Sequence, residues 1–149
     1  LAGAPGIDTE WYQKFFGGEN VKIIQNKTHD LLLHARAALV SSGTATLETG
    51  LLNVPQVVCY RSSFLTYWIA KWLVKLKFIS LVNLILDREV VKELIQGAFN
   101  VKEVEHHLKY ALSDIGQKKL KEDYKELRGI LGAGGASKKT AQLIIEALS

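Results

Sequence analysis

The stretch AALVSSGTATLE, Ala37 to Glu48, decides the fold that this chain is expected to adopt. An apolar run, AALV, is followed by hydroxyl residues and a glycine, and an acid then stands just inside the next helical segment. A continuous apolar run bounded by turn residues is typical of a strand buried on both faces. The stretch therefore predicts a buried strand, a polar turn at its carboxyl end, and a helix.

The surrounding sequence repeats this alternation. Short apolar runs at Val21–Ile24, Ala37–Val40 and Gln56–Tyr60 are separated by helical segments at Thr28–Ala35 and Thr44–Asn53. Such spacing is typical of right-handed βαβ crossovers, which build a parallel sheet covered by helices on both faces. The sequence therefore predicts an α/β fold with a doubly wound parallel sheet.

The pattern changes after Arg61. The run at Phe64–Leu76 has helical length and is apolar almost all round, and FISLVNLIL (Phe78–Leu86) suggests a strand or an extended segment. Further helices are predicted around Val90–Ala98, at Val101–Leu112, at Gln117–Leu131, and over residues 137–149 after the glycine-rich hinge GAGGAS. The carboxyl-terminal region is thus expected to be helical.

Composition sets broad limits. The 149 residues, 48% of them hydrophobic, fit one domain, and a formal charge of +4 slightly favours anionic partners. The single cysteine, Cys59, lies in an apolar run, which favours a buried thiol in the cytosol. The chain has no Met and starts with LAGAPG, without a recognisable signal peptide, so we expect a segment whose first strand begins upstream.

The turn after the AALV run is suited to an anion. Ligands of open parallel sheets bind at the carboxyl ends of strands, where helix amino termini present free N–H groups. Gly43 would let the backbone approach a phosphate, and Thr44 is a favourable N-cap. Glu48 has two interpretations: it accepts hydrogen bonds from a ribose diol, or it favours the helix dipole in the first turn.

Four segments carry a resemblance to a known family. They are SSGTATLETGLLNVPQVVCYR, WIAKWLVKLKFISLVNLI, VVKELIQ and LRGILGAGGASKKTAQLI. Together they resemble the carboxyl-terminal half of bacterial lipid-A-disaccharide synthase, a glycosyltransferase of the GT-B architecture. The resemblance implies that residues 1–149 form a single Rossmann-like domain that binds the nucleotide of the donor.

The resemblance also implies an activity. Members of that family transfer 2,3-diacylglucosamine from UDP to 2,3-diacylglucosamine 1-phosphate, with inversion and without a cofactor, and release UDP. They act at the cytoplasmic face of the bacterial inner membrane. The resemblance also implies a homodimer, and one interpretation of it is that the carboxyl-terminal elements are exchanged between the two copies. The catalytic base is expected from an amino-terminal half outside this chain, so this segment alone is expected to be inactive.

Several residues are implied to contact the UDP-sugar. Ser42, Gly43 and Thr44 match the diphosphate contacts, and Glu48 matches the ribose contact. Arg61 follows the QVVCY strand, where it would pair with phosphate or brace the loop. The remaining implied positions are Asn83 and Gln96 in the donor pocket and Gln25 and Asn26 near the uracil.

Two departures from the family pattern concern the backbone. Val82 stands where the family has a proline before Asn83, so the backbone that aims this asparagine is less constrained. The family's first strand of the domain, with its glycine-containing loop and arginine, is absent. We expect a gap in the sheet and low stability of the segment alone.

The Phe64–Phe78 segment has two interpretations. Its aromatic and basic residues favour a helix in the membrane interface: Tyr67, Trp68, Lys71, Trp72 and Lys75. The alternative is a helix in the core or at a dimer interface.

Other classes of site receive less support. The histidines His29, His34, His106 and His107 lack metal-ligand spacing. Basic residues are dispersed among acids, which argues against nucleic acid. Besides the family's reaction, two hypotheses stay open: another GT-B enzyme with a different acceptor, and a non-enzymatic interaction module for membranes or proteins.

Overall fold

Five short strands form two parallel sheets in the computed structural model, which describes residues 1–16, 20–41, 43–62, 77–132 and 134–148. One sheet pairs β1 (Ala2–Gly3) with β2 (Ile24–Gln25). The other has the order β3 (Ala38–Val40), β4 (Gln56–Tyr60), β5 (Lys92–Ile95). The described strands alternate with helices, which confirms the predicted α/β, Rossmann-like class.

Helices make up most of the remaining described structure. They are α1 (Thr9–Gln13), α2 (Thr28–His34), α3 (Thr44–Leu51), α4 (Leu81–Leu86), α5 (Val101–Leu112), α6 (Asp114–Leu131) and α7 (Ala136–Leu148), with a 3-10 turn at Gln96–Ala98 after β5. Within these residues, no helix combines the length and the apolar character that crossing a bilayer requires.

The core forms where α3 and α5 pack on the three-stranded sheet and α4 and α6 pack against these helices. Strand β4 is central in that sheet, and its Val57 and Val58 are almost completely buried. The core cluster consists of Val58, Val82, Leu86, Val91, Ala111, Leu120, Tyr124 and Leu127. Burial of this apolar surface fixes which ends of β3, β4 and β5 lie together, and hence where a ligand site can form.

The two sheets are not joined by strand pairing among the described residues. Among the described residues, β1 pairs only with β2, and β3 pairs only with β4. Strands β1 and β3 therefore each have one edge without a strand partner. This arrangement is compatible with the expected gap. An upstream strand that fills this gap remains a prediction. The boundaries of the single domain and the low stability of the segment alone also remain predictions.

Two predicted elements have the wrong type. The segment Phe78–Leu86, expected to be extended, contains α4, because the Ser80 hydroxyl caps the helix by accepting from the Asn83 N–H. The segment Val90–Ala98, expected to be helical, forms β5 and the 3-10 turn. The buried Val91 and Leu94 are compatible with one face of a helix and also with a strand that is buried on both faces. Pairing with β4 selects the strand.

Several predicted boundaries also differ. Pairing in the first sheet involves Ile24–Gln25 rather than Val21–Ile24. Helix α6 begins at Asp114, before the predicted Gln117, because Ser113 caps it. The predicted helix at Phe64–Leu76, with its membrane-interface residues, lies outside the described residues.

Candidate functional site

The turn between β3 and α3 exposes the amino end of α3. Its N-cap is Gly43 and not the predicted Thr44, which is the first helical residue. Gly43 has φ 112° and ψ −158°, a backbone conformation accessible almost only to glycine. Within the described part of the chain, the N–H groups of Thr44 and Ala45 have no acceptor. Free N–H groups at the positive end of a helix favour an anion.

A second helix start lies beside this turn. Gly43 forms a parallel bridge with Ser80, the N-cap of α4. The fully buried Thr46 joins the two: its hydroxyl donates to the Gly43 carbonyl oxygen at 2.8 Å and accepts from the Leu81 N–H at 3.2 Å. The position of the α3 turn is therefore coupled to that of α4.

The donors before α4 are already occupied by a carboxylate of this chain. One oxygen of Glu93, on β5, accepts from the Ile79 N–H at 2.9 Å. The other accepts from the N–H and the hydroxyl of Ser80 at 2.9 and 2.8 Å. Among the described residues, an incoming anion therefore meets donors without acceptors at α3 and occupied donors before α4.

Asn83 lies behind this carboxylate and is completely buried. Its amide nitrogen donates to Glu93 at 2.9 Å and to the Val91 carbonyl oxygen at 2.8 Å. Its amide oxygen accepts from the N–H groups of Val90 and Val91. A direct contact with a nucleotide would require this amide to give up internal partners, so the geometry favours an indirect role.

Arg61 and Gln96 leave the sheet side by side. They follow β4 and β5, whose last residues, Tyr60 and Ile95, are paired. The Gln96 amide donates to the carbonyl oxygen and the hydroxyl of Ser62, at 3.2 and 3.1 Å. Arg61 is exposed, with no ion-pair partner among the described residues. Its guanidinium is therefore available to a ligand at the carboxyl edge.

Glu48 is exposed on α3, beyond the first turn of that helix, which contains no acidic residue. The interpretation that Glu48 favours the dipole in the first turn is therefore wrong, because the effect falls off beyond that turn. A contact with a ribose stays a prediction.

The two residues implied to contact the uracil, Gln25 and Asn26, lie at the sheet formed by β1 and β2. Gln25 ends β2, and its amide donates to the Ile7 carbonyl oxygen at 2.8 Å. Asn26 follows with φ 55° and is exposed. Gln25 and Asn26 share with Gly43 a position at or just after the end of a strand. Ser42 lies outside the described residues.

Sequence reasoning missed three residues of this site: Thr46, Ser80 and Glu93. Each of the three makes a hydrogen bond to a residue distant in the chain. Glu93, for example, accepts a hydrogen bond from the Ile79 N–H. The only local signal for Glu93 was the charged pair Lys92 and Glu93 inside the otherwise apolar VVKELI run. Its partners became recognisable only in three dimensions.

Three other features of the described chain bear on where chemistry could occur. A cavity of 320 Å³ lies at the opposite edge of the sheet, where β4 and β5 begin, and includes His106 and His107. No group of three or more metal-ligating side chains occurs in the residues that the structure describes. Partial burial raises the pKa of Cys59, which disfavours a reactive thiolate. Cys59, predicted to be buried, is only half-buried.

Comparison with known proteins gives a consistent result. The family model for lipid-A-disaccharide synthetase matches residues 12–147. The lipid-A-disaccharide synthase of Myxococcus xanthus is 34% identical over 148 residues, covering 97% of this chain and 39% of the relative. Those of Syntrophus aciditrophicus and Haemophilus ducreyi are each 38% identical, and the matches cover 33% and 34% of these relatives.

The chain therefore spans between a third and two fifths of the length of these relatives. The match extends through the β3–α3 turn, α4 and β5, which contain the residues of the site. It confirms the resemblance inferred from the sequence motifs: this chain belongs to the lipid-A-disaccharide synthetase family.

Proposed function

We propose that this chain supplies the UDP-sugar site of a glycosyltransferase of lipid A biosynthesis. The observation that carries the proposal is the amino end of α3, where Gly43 leaves the Thr44 and Ala45 N–H groups without acceptors in the described residues. A diphosphate is a strong ligand for such an end. The names of the relatives support glycosyl transfer as the use of this site.

The proposed reaction transfers 2,3-diacylglucosamine from UDP to 2,3-diacylglucosamine 1-phosphate, with inversion at the anomeric carbon. The hydroxyl of the acceptor attacks that carbon, the bond to the UDP oxygen breaks, and UDP leaves. Free N–H groups at α3 stabilise the negative charge that develops on the diphosphate. The base that takes the proton is proposed to lie outside this chain.

The roles of the individual side chains follow from their positions. Ser42, Gly43 and Thr44 would contact the diphosphate, with Arg61 as a counter-charge at the same edge. Glu48 would accept hydrogen bonds from the ribose. Gln96 would hold the Ser62 backbone beside Arg61, since its amide already donates there. Gln25 and Asn26, at the end of β2, would contact the uracil.

Association with a surface and with a second copy is also proposed. Helix α7 exposes Leu143, Ile144, Ile145 and Leu148, and it follows a segment in which Gly132, Gly134 and Gly135 have positive φ. An amphipathic helix after such a hinge suits exchange within a homodimer. Peripheral contact with the cytoplasmic face of the inner membrane is proposed for the Phe64–Phe78 segment.

The test is UDP binding by calorimetry, with ADP as competitor. Two proteins are compared: this chain, and the chain extended upstream by one strand. We expect UDP to bind the extended protein and ADP to compete poorly. A folded extended protein that ignores UDP would overturn the proposal, and the interaction module would replace it. Binding of UDP without transfer to the 1-phosphate acceptor by the full-length protein would favour another GT-B enzyme.

A further inference from the structure

We propose that Glu93 is a positioning residue of the diphosphate site: its carboxylate occupies the donors before α4, fixes them beside Gly43, and leaves α3 as the place for phosphate. This inference rests on the proposed function and adds a residue to it. Glu93 is not proposed to contact the substrate. It acts through Ser80 and through the turn that Ser80 adjoins.

The first step is that Glu93 takes the place that a phosphate would occupy at α4. Its two oxygens accept from the N–H groups of Ile79 and Ser80 and from the Ser80 hydroxyl, at 2.8 to 2.9 Å. Donors before a helix are where anions bind in proteins. A carboxylate from β5 has already satisfied these donors, so the negative charge of a ligand is repelled there.

The second step is that the carboxylate is itself held rigidly. Asn83 donates to it at 2.9 Å, and the same amide contacts both the N–H and the carbonyl oxygen of Val91. Asn83 and Ser80 are completely buried and Glu93 is half-buried, so these bonds have limited access to competing water. A strand and a helix start are thereby fixed in one geometry.

The third step connects this geometry to the open turn. Ser80 forms the parallel bridge with Gly43, and Leu81 donates to the Thr46 hydroxyl, which donates to the Gly43 carbonyl oxygen. Gly43 has no side chain with which to hold the turn. Its position therefore depends on neighbours that Glu93 orders, and a displaced turn would aim the α3 N–H groups away from the phosphates.

The variant to test is Glu93→Gln in the protein extended to the full length of its relatives. An amide places an NH₂ group opposite backbone N–H groups, so it loses an acceptor at nearly unchanged size. We expect UDP affinity to fall by about tenfold to a hundredfold, the scale of losing a hydrogen bond to a charged group. KM for the UDP-sugar is expected to rise more than kcat falls.

The matched control is Glu89→Gln, which makes the same chemical change at an exposed carboxylate just before β5, paired there with Lys92. It should leave UDP affinity unchanged. A second readout separates positioning from loss of folding: inhibition by uridine, which lacks phosphate, is compared with inhibition by UDP. Positioning of the phosphates predicts that Glu93→Gln loses the preference for UDP over uridine, whereas partial unfolding weakens both equally.

The outcomes are distinguishable. If the unsubstituted protein does not bind UDP, the proposed function fails. If it binds UDP and Glu93→Gln binds UDP with the same preference over uridine, this inference fails while the proposed function stands. Equal weakening of both ligands, with a lowered unfolding midpoint, would also overturn the positioning role.

Discussion

The side-chain amide of Gln56 donates a hydrogen bond of 3.1 Å to the hydroxyl of Tyr124, 68 positions later in the chain. The hydroxyl in turn donates to the Val54 carbonyl oxygen at 3.2 Å, and the side chain is almost completely buried. Gln56 also donates to the Thr46 carbonyl oxygen in α3. One phenol thus joins α6 to β4 and indirectly to the helix that carries the proposed phosphate site.

This contact predicts a pH dependence of stability. Burial raises the pKa of Tyr124 from 10.0 to about 12. The folded state therefore holds the phenol proton more tightly than the unfolded state does. The stabilisation is complete below pH 10 and is lost as the pH rises from about 10 to about 12. At about pH 11 we expect a loss near 1.4 kcal/mol in the free energy of unfolding.

The measurement is urea-induced unfolding near pH 9 and near pH 11, on the chain extended upstream. Tyr124→Phe is the control, since it keeps the ring and removes the titrating group. Its deficit relative to the unsubstituted protein should be largest near pH 9 and smaller near pH 11. A deficit that does not change with pH would contradict the prediction.

Glu48→Ala tests the ribose contact. We expect UDP affinity to fall by about 1 to 3 kcal/mol, because hydrogen bonds to a charged group are lost. The unfolding free energy should change by less than about 0.5 kcal/mol, since the side chain is exposed. The unsubstituted protein should prefer UDP to 2′-deoxy-UDP, and the variant should lose this preference. Glu122→Ala, an exposed acid on α6, is the control and should retain it.

Gly43→Ala tests the conformation of the turn. Among the described residues, no atom beyond the chain neighbours lies within 4 Å of an added Cβ, so the expected cost comes from the backbone at φ 112°. We expect a loss of about 1 to 3 kcal/mol in stability, together with weaker UDP binding. Gly129→Ala is the control: it too meets nothing within 4 Å, but it lies inside α6, where alanine should stabilise by about 0.5 to 1 kcal/mol. Similar effects at both positions would contradict the prediction.

Arg88→Met tests the ion pair that fixes α6 near α4. Arg88 contacts Asp123 at 2.8 Å and also Glu126, and the Asp123 side chain is only 12% exposed. Removing the cation leaves that carboxylate without its charge partner, so we expect a loss of about 1 to 3 kcal/mol. The exposed pair of Lys77 with Asp87 is the comparison, and Lys77→Met should cost less than about 1 kcal/mol.

A second substitution checks the cause of the Arg88 effect. Asp123→Leu combined with Arg88→Met removes the unpaired charge and should recover part of the lost stability. Urea unfolding of the two single variants and the double variant measures the coupling. Strictly additive losses would contradict the ion-pair explanation.

Local sequence correctly predicted elements whose residue pattern fits only one type of secondary structure. Helix α5 has the predicted bounds, Val101 to Leu112, because Asn100 caps it by accepting from the Glu103 N–H. Strand β4 was predicted over Gln56–Tyr60, because a short apolar run bounded by turn residues suits a buried strand. The glycine turn after AALV was likewise recognised from its residues alone.

Tertiary contacts decided the type of those elements whose residue pattern fits both a helix and a strand. The VVKELI run has apolar residues at spacings that suit a helix or a strand, and β5 forms because β4 offers backbone partners from Val57 to Tyr60. The same pairing brings Glu93 to the start of α4. Gly43, Glu48 and Arg61 were proposed from sequence, because they lie in the turn after β3, in the helix that follows it and after the end of β4. Thr46, Ser80 and Glu93 were not, because a hydrogen bond between distant residues leaves no local pattern.

The sequence by itself determined the α/β class, the parallel order of the βαβ units, the phosphate-suited turn and the family, since each is recognised from local residue patterns and their order along the chain. Only the tertiary structure decided which helix start stays open. Two such starts lie side by side, at Gly43 and at Ser80, and both are locally plausible anion sites. Glu93 occupies the second, because the register of a distant strand places its carboxylate there.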